Sequence, residues 1–126
     1  MPYPDLAYKI ALSLIPGVGN ILAKKLVAYA GSLEGIFSEK KAKLMKIPGV
    51  GRVLAANISN PSLLELAELE VEYINKNGIK TFFYLDQEYP SRLKHCPDAP
   101  VIFFMQGNAD LNHPKIISIV GTRRAT

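Results

Sequence analysis

The sequence predicts an α+β chain. An all-α unit spans residues 1–61, and residues 62–126 form the opening portion of an α/β unit, a helix and about three strands. Three observations predict this. A segment occurs twice: residues 15–27 read IPGVGNILAKKLV and residues 47–59 read IPGVGRVLAANIS, with seven positions in common at an offset of 32 residues. Apolar residues around both copies recur at helical spacing. After residue 78 the pattern changes to short β-branched and aromatic runs at 79–85, 101–105 and 116–120, the last closing on Gly121.

Each copy of the repeat reads as a helix stop, a tight turn and a helix start. Pro16 and Pro48 push the residue before them out of the α region and end the preceding helix. Gly17 and Gly49 permit a positive φ. Val18 and Val50 point inward as plugs, while Gly19 and Gly51 leave the first N–H groups of the next helix bare. Bare donors at the positive end of a helix dipole suit an anion, and phosphate above all.

Taken in order, Pro4-Asp5 starts the first helix with Asp5 as N-cap, and Leu6, Ala7, Ile10, Ala11 and Leu14 mark its buried face. After the first turn, Ile21, Leu22, Leu26, Tyr29 and Ala30 make the apolar stripe, and Gly31 stops the helix. Residues 32–37 form a short connecting helix, with Leu33, Ile36 and Phe37 closing the core. Ser38 caps the next helix, which runs to about Lys46. Beyond the second turn, Val53, Leu54 and Ile58 repeat the stripe until Asn60-Pro61 breaks the helix.

Ser62 and Glu65 have the spacing of a capping box and open a helix to about Asn77, with Leu63, Leu66, Ala67, Val71 and Ile74 on its buried side. Asn77-Gly78 ends it. Strands follow at Ile79–Leu85 and Val101–Met105, separated by an ordered loop with one helical turn near Ser91–Leu93. Ile116, Ile117, Ile119 and Val120 form a third strand, followed at once by Gly121-Thr122-Arg123-Arg124.

Composition narrows the class. The chain has 126 residues, 48% of them hydrophobic, with a formal net charge of +4. Residues 1–61 carry eight Lys or Arg against three Asp or Glu, a net +5, so the basic excess sits with the repeats. That is the electrostatic footprint of a polyanion contact. The longest apolar runs fall far short of the 18 or so residues of a membrane span, and no signal peptide is visible. The single cysteine, Cys96, forms no internal disulfide, and His95 and His113 have no zinc spacing. No cofactor or metal is expected, and the compartment expected is the cytoplasm. No catalytic set is visible: Cys96 beside His95 reads as a packed or idle cysteine, and there is no Gly-x-Gly-x-x-Gly. The scattered tyrosines read as core or boundary packing.

The repeated apolar-Pro-Gly-Val-Gly before an amphipathic helix resembles the helix-hairpin-helix, a motif that binds the DNA backbone. Two copies in tandem resemble the pseudo-twofold domain that grips sugar-phosphate. The resemblance implies DNA contact at Gly17, Gly19, Lys24, Lys25, Gly49, Gly51 and Arg52. Some tandem domains of this kind serve only as protein-packing scaffolds, and that alternative stays open.

The second half adds a more particular resemblance. Tyr89-Pro90 and Leu93, then Asp98-Ala99-Pro100 entering a strand that closes on Gly107, then a strand ending in Gly-Thr-Arg, are together similar to the DprA family, also called Smf. That family acts in natural transformation. The resemblance implies a Rossmann-like second domain at 62–126, and a non-enzymatic protein that binds single-stranded DNA and assists RecA loading. It places Gly121, Thr122 and Arg123 in the single-stranded-DNA pocket, with Arg124 beside them, and implies a homodimer in the full-length protein. Double-stranded DNA is a further expected partner of the hairpins; a membrane is not. Because the sequence stops at Thr126, where the first helix of that domain should begin, the chain is expected to be a piece of a longer protein. The alternative reading is a Rossmann-like phosphoribohydrolase-type enzyme, which enters its fold by a similar strand and glycine-arginine turn.

Overall fold

The computed structural model describes residues 3–107 and 111–112. Within them the order is α1 (Asp5–Leu14), α2 (Asn20–Ala30), α3 (Leu33–Ser38), α4 (Lys41–Leu44), α5 (Arg52–Ile58), α6 (Ser62–Asn77), β1 (Lys80–Phe83), α7 (Ser91–Lys94) and β2 (Ile102–Met105). The chain is thus mostly helical with a small sheet, and the α+β class holds. The strand expected at 116–120 and the turn Gly121–Arg124 lie outside the described residues.

The helix stops follow from local chemistry. Gly31 and Gly78 end α2 and α6 in the left-handed region, at φ 76° and 61°, and their N–H groups close the last turns on Val27 and Ile74. Three helix starts differ from expectation. Pro4, extended and without a side-chain bond, holds the cap of α1, so Asp5 lies inside the first turn. There its carboxylate favours the helix dipole and sits 3.1 Å from Lys9 Nζ. Ser38 does not cap α4. It is the last residue of α3, which Ser32 starts by accepting from the Gly35 N–H at 3.0 Å, and Lys40 takes the α4 cap. The Ser62–Glu65 capping box does not form. Pro61 already has helical φ and ψ, and the Asn60 side chain accepts from the Ser62 N–H at 3.0 Å in its place.

One continuous core runs from Ala7 to Ile102. Helix α1 lies at its centre and packs along α6 on one side and on α2 and α3 on the other. This explains why Leu12 is fully buried although it lies off the expected face, while Leu14 is exposed. Helix α6, grouped by sequence with the second segment, contributes Leu63, Ala67, Val71 and Ile74 to this core. In α2 and α5 the buried side is turned by about one residue from the expected stripe. Ala23, Leu26, Ala55 and Ile58 are buried, whereas Ile21, Tyr29 and Val53 are exposed. Alanine faces let backbones approach closely, so tertiary contact selects them over the larger residues beside them. Leu66 of α6, expected inside, is exposed as well.

Strands β1 and β2 pair antiparallel with Phe82 opposite Phe103 and Phe83 opposite Ile102. The hairpin buries side chains on both its faces, while Phe104 stays exposed. Phe83 and Ile102 join the helical core. On the opposite face Phe82 stacks on Phe103 at 4.9 Å, and Tyr89 meets Phe103 edge-on at 5.6 Å. The 84–101 loop folds back to supply that cover. Asp86 pins it by accepting from the Phe83 N–H at 3.0 Å, and its other carboxylate oxygen lies 3.7 Å from Lys9 Nζ.

Tyr89 is 1% exposed and donates its hydroxyl proton to the Pro100 carbonyl at 2.6 Å. Burial, with Cys96 acting in the same direction, holds this hydroxyl above its ordinary pKa of 10.0; burial raises Tyr8 and Tyr84 likewise. As pH rises past that value the unfolded chain loses these protons first and binds fewer than the native state. Stability is therefore undiminished below that pH and falls above it. Tyr89→Phe is expected to cost about 1–2 kcal/mol at neutral pH, by leaving the Pro100 carbonyl unpaired, and to soften the alkaline loss. Urea titrations of both proteins at about pH 7 and about pH 10.5 test this. An alkaline loss identical in both proteins would refute it.

Candidate nucleic-acid interface

The two copies of the repeat fold alike. Pro16 and Pro48 sit second in a four-residue turn, Gly17 and Gly49 sit third at φ 82° and 92°, and Val18 and Val50 close it by donating to Ile15 and Ile47 at 3.2 and 3.0 Å. This is type II turn chemistry, which needs a positive φ at the third position. Gly19 and Gly51 then cap α2 and α5 in extended conformation, each without a side-chain bond. Their carbonyls accept the first helical bonds from Ala23 and Ala55 at 2.9 and 3.0 Å.

The copies grip each other reciprocally. A Cβ placed on Gly17 would lie 2.8 Å from Leu54 Cδ2, and one on Gly49 would lie 3.5 Å from Leu22 Cδ1. Leu22 and Leu54 are equivalent positions of the repeat, so each turn packs on the helix that follows the other. Asn57 adds a bond from its side-chain amide to the Pro16 carbonyl at 3.0 Å. Its equivalent in the first copy is Lys25, which is exposed and lines an open cleft with Gly19, Asn20, Leu22, Pro48 and Gly49.

The copies are unequal toward the rest of the molecule. Asn20, first residue of α2, accepts from the Val101 N–H at 3.1 Å and donates to the Asp98 carbonyl at 3.4 Å. Lys24 donates to the Pro97 carbonyl at 3.2 Å and lies 5.4 Å from the Tyr84 ring centroid. The 97–101 segment is thereby tied beside the first turn, and Asp98 lines the same cleft as Gly19 and Lys25. At the equivalent of Asn20 the second copy carries Arg52, exposed and without an ion pair among the described residues.

Of the residues expected at the interface, Gly19, Lys25 and Gly49 of the second turn meet in one cleft, and Gly51 and Arg52 start α5 on an exposed surface. Gly17 serves the packing of the turns. Lys24 is directed toward the 97–101 segment. Gly121, Thr122, Arg123 and Arg124 lie outside the described residues. Sequence reasoning passed over Asn20 and Asp98, whose roles depend on a partner far along the chain. It also passed over Lys46, exposed next to Ile47 at the entry of the second turn; its position in the basic excess was the available signal. Among the described residues no cluster of His, Cys, Asp and Glu is placed to hold a metal ion, and no helix is long and apolar enough to cross a membrane.

Two reciprocal Pro-Gly turns, each opening a helix on a basic surface, define a tandem helix-hairpin-helix protein. Comparison with known families agrees: a family model described as a SAM-like helix-hairpin-helix tandem matches residues 9–60, and one described as DNA recombination-mediator protein A matches residues 80–126. The chain is 27% identical over 131 residues to Protein Smf of Synechocystis sp. (strain ATCC 27184 / PCC 6803 / Kazusa), a match that covers 100% of this chain and 33% of that protein. It is 46% identical over 41 residues to the DNA ligase of Chloroflexus aurantiacus (strain ATCC 29366 / DSM 635 / J-10-fl), covering 32% of this chain and 6% of the ligase. No solved structure matches. Together these matches support a DprA/Smf-like protein with a helix-hairpin-helix domain ahead of a DNA-processing segment. It spans about a third of the length of the Smf relative.

Proposed function

We propose that the chain works in DNA processing and recombination by holding the DNA backbone, with the second hairpin as the principal contact. The observation that carries this reading is the inequality of the two helix starts. Gly51 and Arg52, at the start of α5, are exposed with Lys46 close by in sequence, whereas the start of α2 shares its cleft with Asp98 and is tied to the 97–101 segment by Asn20 and Lys24. Lys25, Gly19 and Gly49 contribute from the cleft between the turns, and Gly17 holds the second helix in place. The first hairpin thus also acts as a protein scaffold, binding the 97–101 segment.

Within this reading, single-stranded DNA is the substrate of the whole protein, and Gly121, Thr122, Arg123 and Arg124 supply further contacts. The hairpins extend the grip to duplex DNA. The protein acts without catalysis, in the cytoplasm, as a homodimer that assists RecA loading. Support comes from the family and from the net +5 of residues 1–61.

The test is fluorescence anisotropy of labelled single- and double-stranded oligonucleotides over a salt series. Log affinity is expected to fall linearly with log salt. An absence of binding to either form at low salt would overturn the reading. In a protein carrying the whole second domain, Arg123→Ala is expected to weaken single-strand binding by about ten- to a hundredfold, the loss of one charge-assisted contact. Unchanged binding together with hydrolysis of a nucleoside monophosphate would favour the phosphoribohydrolase-type enzyme.

A further inference from the structure

Helix α6 carries two apolar faces. Leu63, Ala67, Val71 and Ile74 are buried against the core, but Leu66, Leu69 and Tyr73 stand 53%, 61% and 58% exposed. Their spacing of three and then four residues is that of a short coiled-coil seam, with Leu66 and Tyr73 at a positions and Leu69 at d, bounded by Ser62 and Lys76 at the d positions on either side. Such a seam takes a helix laid along it.

The residues beside the seam say which helix. The flanking g and e positions are Glu65, Glu70 and Glu72, all exposed and none in an ion pair among the described residues. A second copy of α6, laid parallel or antiparallel, would set glutamates against glutamates. The same three carboxylates repel nucleic acid and anionic lipid, the other surfaces a basic protein might meet. A helix with apolar a and d positions and Lys or Arg at e and g satisfies both the seam and its rim.

We propose that the Leu66–Leu69–Tyr73 face of α6 docks an amphipathic helix of a partner protein whose flanks are basic. The face lies along the side of α6 next to its core contacts, and its residues are separate in sequence from the two hairpins.

The test uses the full chain and two labelled synthetic helices, both with Leu at a and d, one with Lys and the other with Glu at e and g. By fluorescence anisotropy the Lys helix is expected to bind at least about tenfold more tightly than the Glu helix, from three favourable pairs replacing three unfavourable ones. Leu66→Ser with Leu69→Ser is expected to lower Lys-helix affinity by about tenfold or more, with the melting temperature kept because both side chains are exposed. Tyr73→Ser supplies a second variant should the first fail to fold. Equal binding of the two helices, no binding of the Lys helix, or wild-type binding by the folded variants would each overturn the proposal. So would sedimentation showing that the chain self-associates through this face.

Discussion

Gly17→Val is expected to destabilise the chain by about 2–3 kcal/mol, somewhat more than the same change at Gly49. Two penalties combine. The backbone at Gly17 holds φ 82°, a region where a β-branched residue costs about 1–3 kcal/mol. The new Cβ would also lie 2.8 Å from Leu54 Cδ2, so the end of the half-buried Leu54 side chain must shift, a smaller cost added to the first. Gly49→Val carries the first penalty at φ 92° but not the second, since its nearest neighbour, Leu22 Cδ1, lies at an ordinary 3.5 Å. Gly19→Ala and Gly51→Ala meet nothing within 4 Å, so each is expected to cost within about 1 kcal/mol. Thermal and urea unfolding followed by circular dichroism should rank the four variants in that order. If Gly17→Val melts with wild type, or if Gly19→Ala costs as much, the reciprocal packing of the turns is wrong.

Lys25→Glu combined with Arg52→Glu is expected to abolish DNA binding at physiological salt and to flatten the salt slope by about two. Both side chains are exposed, so the folded state should be kept. Lys24→Glu is the informative contrast. Its ammonium is bonded to the Pro97 carbonyl and lies over Tyr84, so reversing it should loosen the 97–101 segment and lower stability, with a smaller effect on binding. Affinity and melting temperature measured on the same samples separate the two outcomes. A loss of binding from Lys24→Glu as large as that of the double variant, without loss of stability, would make Lys24 a DNA contact in place of a strut.

Much of the helical unit was legible in the sequence, and so were both strands and the single turn of α7. The places where expectation and structure part company share a cause. Ser38 and Ser62 have the side-chain chemistry of caps, but whether a residue caps depends on where the preceding turn ends, and Ser32 and Asn60 had already settled that. Ile21, Tyr29, Val53 and Leu66 fit the helical period, yet a period marks a face only to within about one residue. Which edge of that face is buried depends on the neighbouring helix. The candidate interface shows the same division. Its glycines and cations were visible by type, whereas the closing of the first turn by Asn20 and Lys24 was not.

By itself the sequence determined the two Pro-Gly turns, their uncapped helix starts, the helix stops at Gly31 and Gly78, and the basic character of residues 1–61. Each of these follows from a fixed φ, a missing Cβ or a charge, within a few residues of chain. Only the tertiary structure decided that α6 returns to lie along α1, that Gly17 packs under Leu54, and that two like turns receive unlike surroundings. Those outcomes rest on bonds such as Asn57 to Pro16, 41 residues apart, and Asn20 to Val101, 81 residues apart. An asparagine looks the same in the sequence whether or not a distant backbone group comes within reach of it, and close packing of the core is what brings that group there.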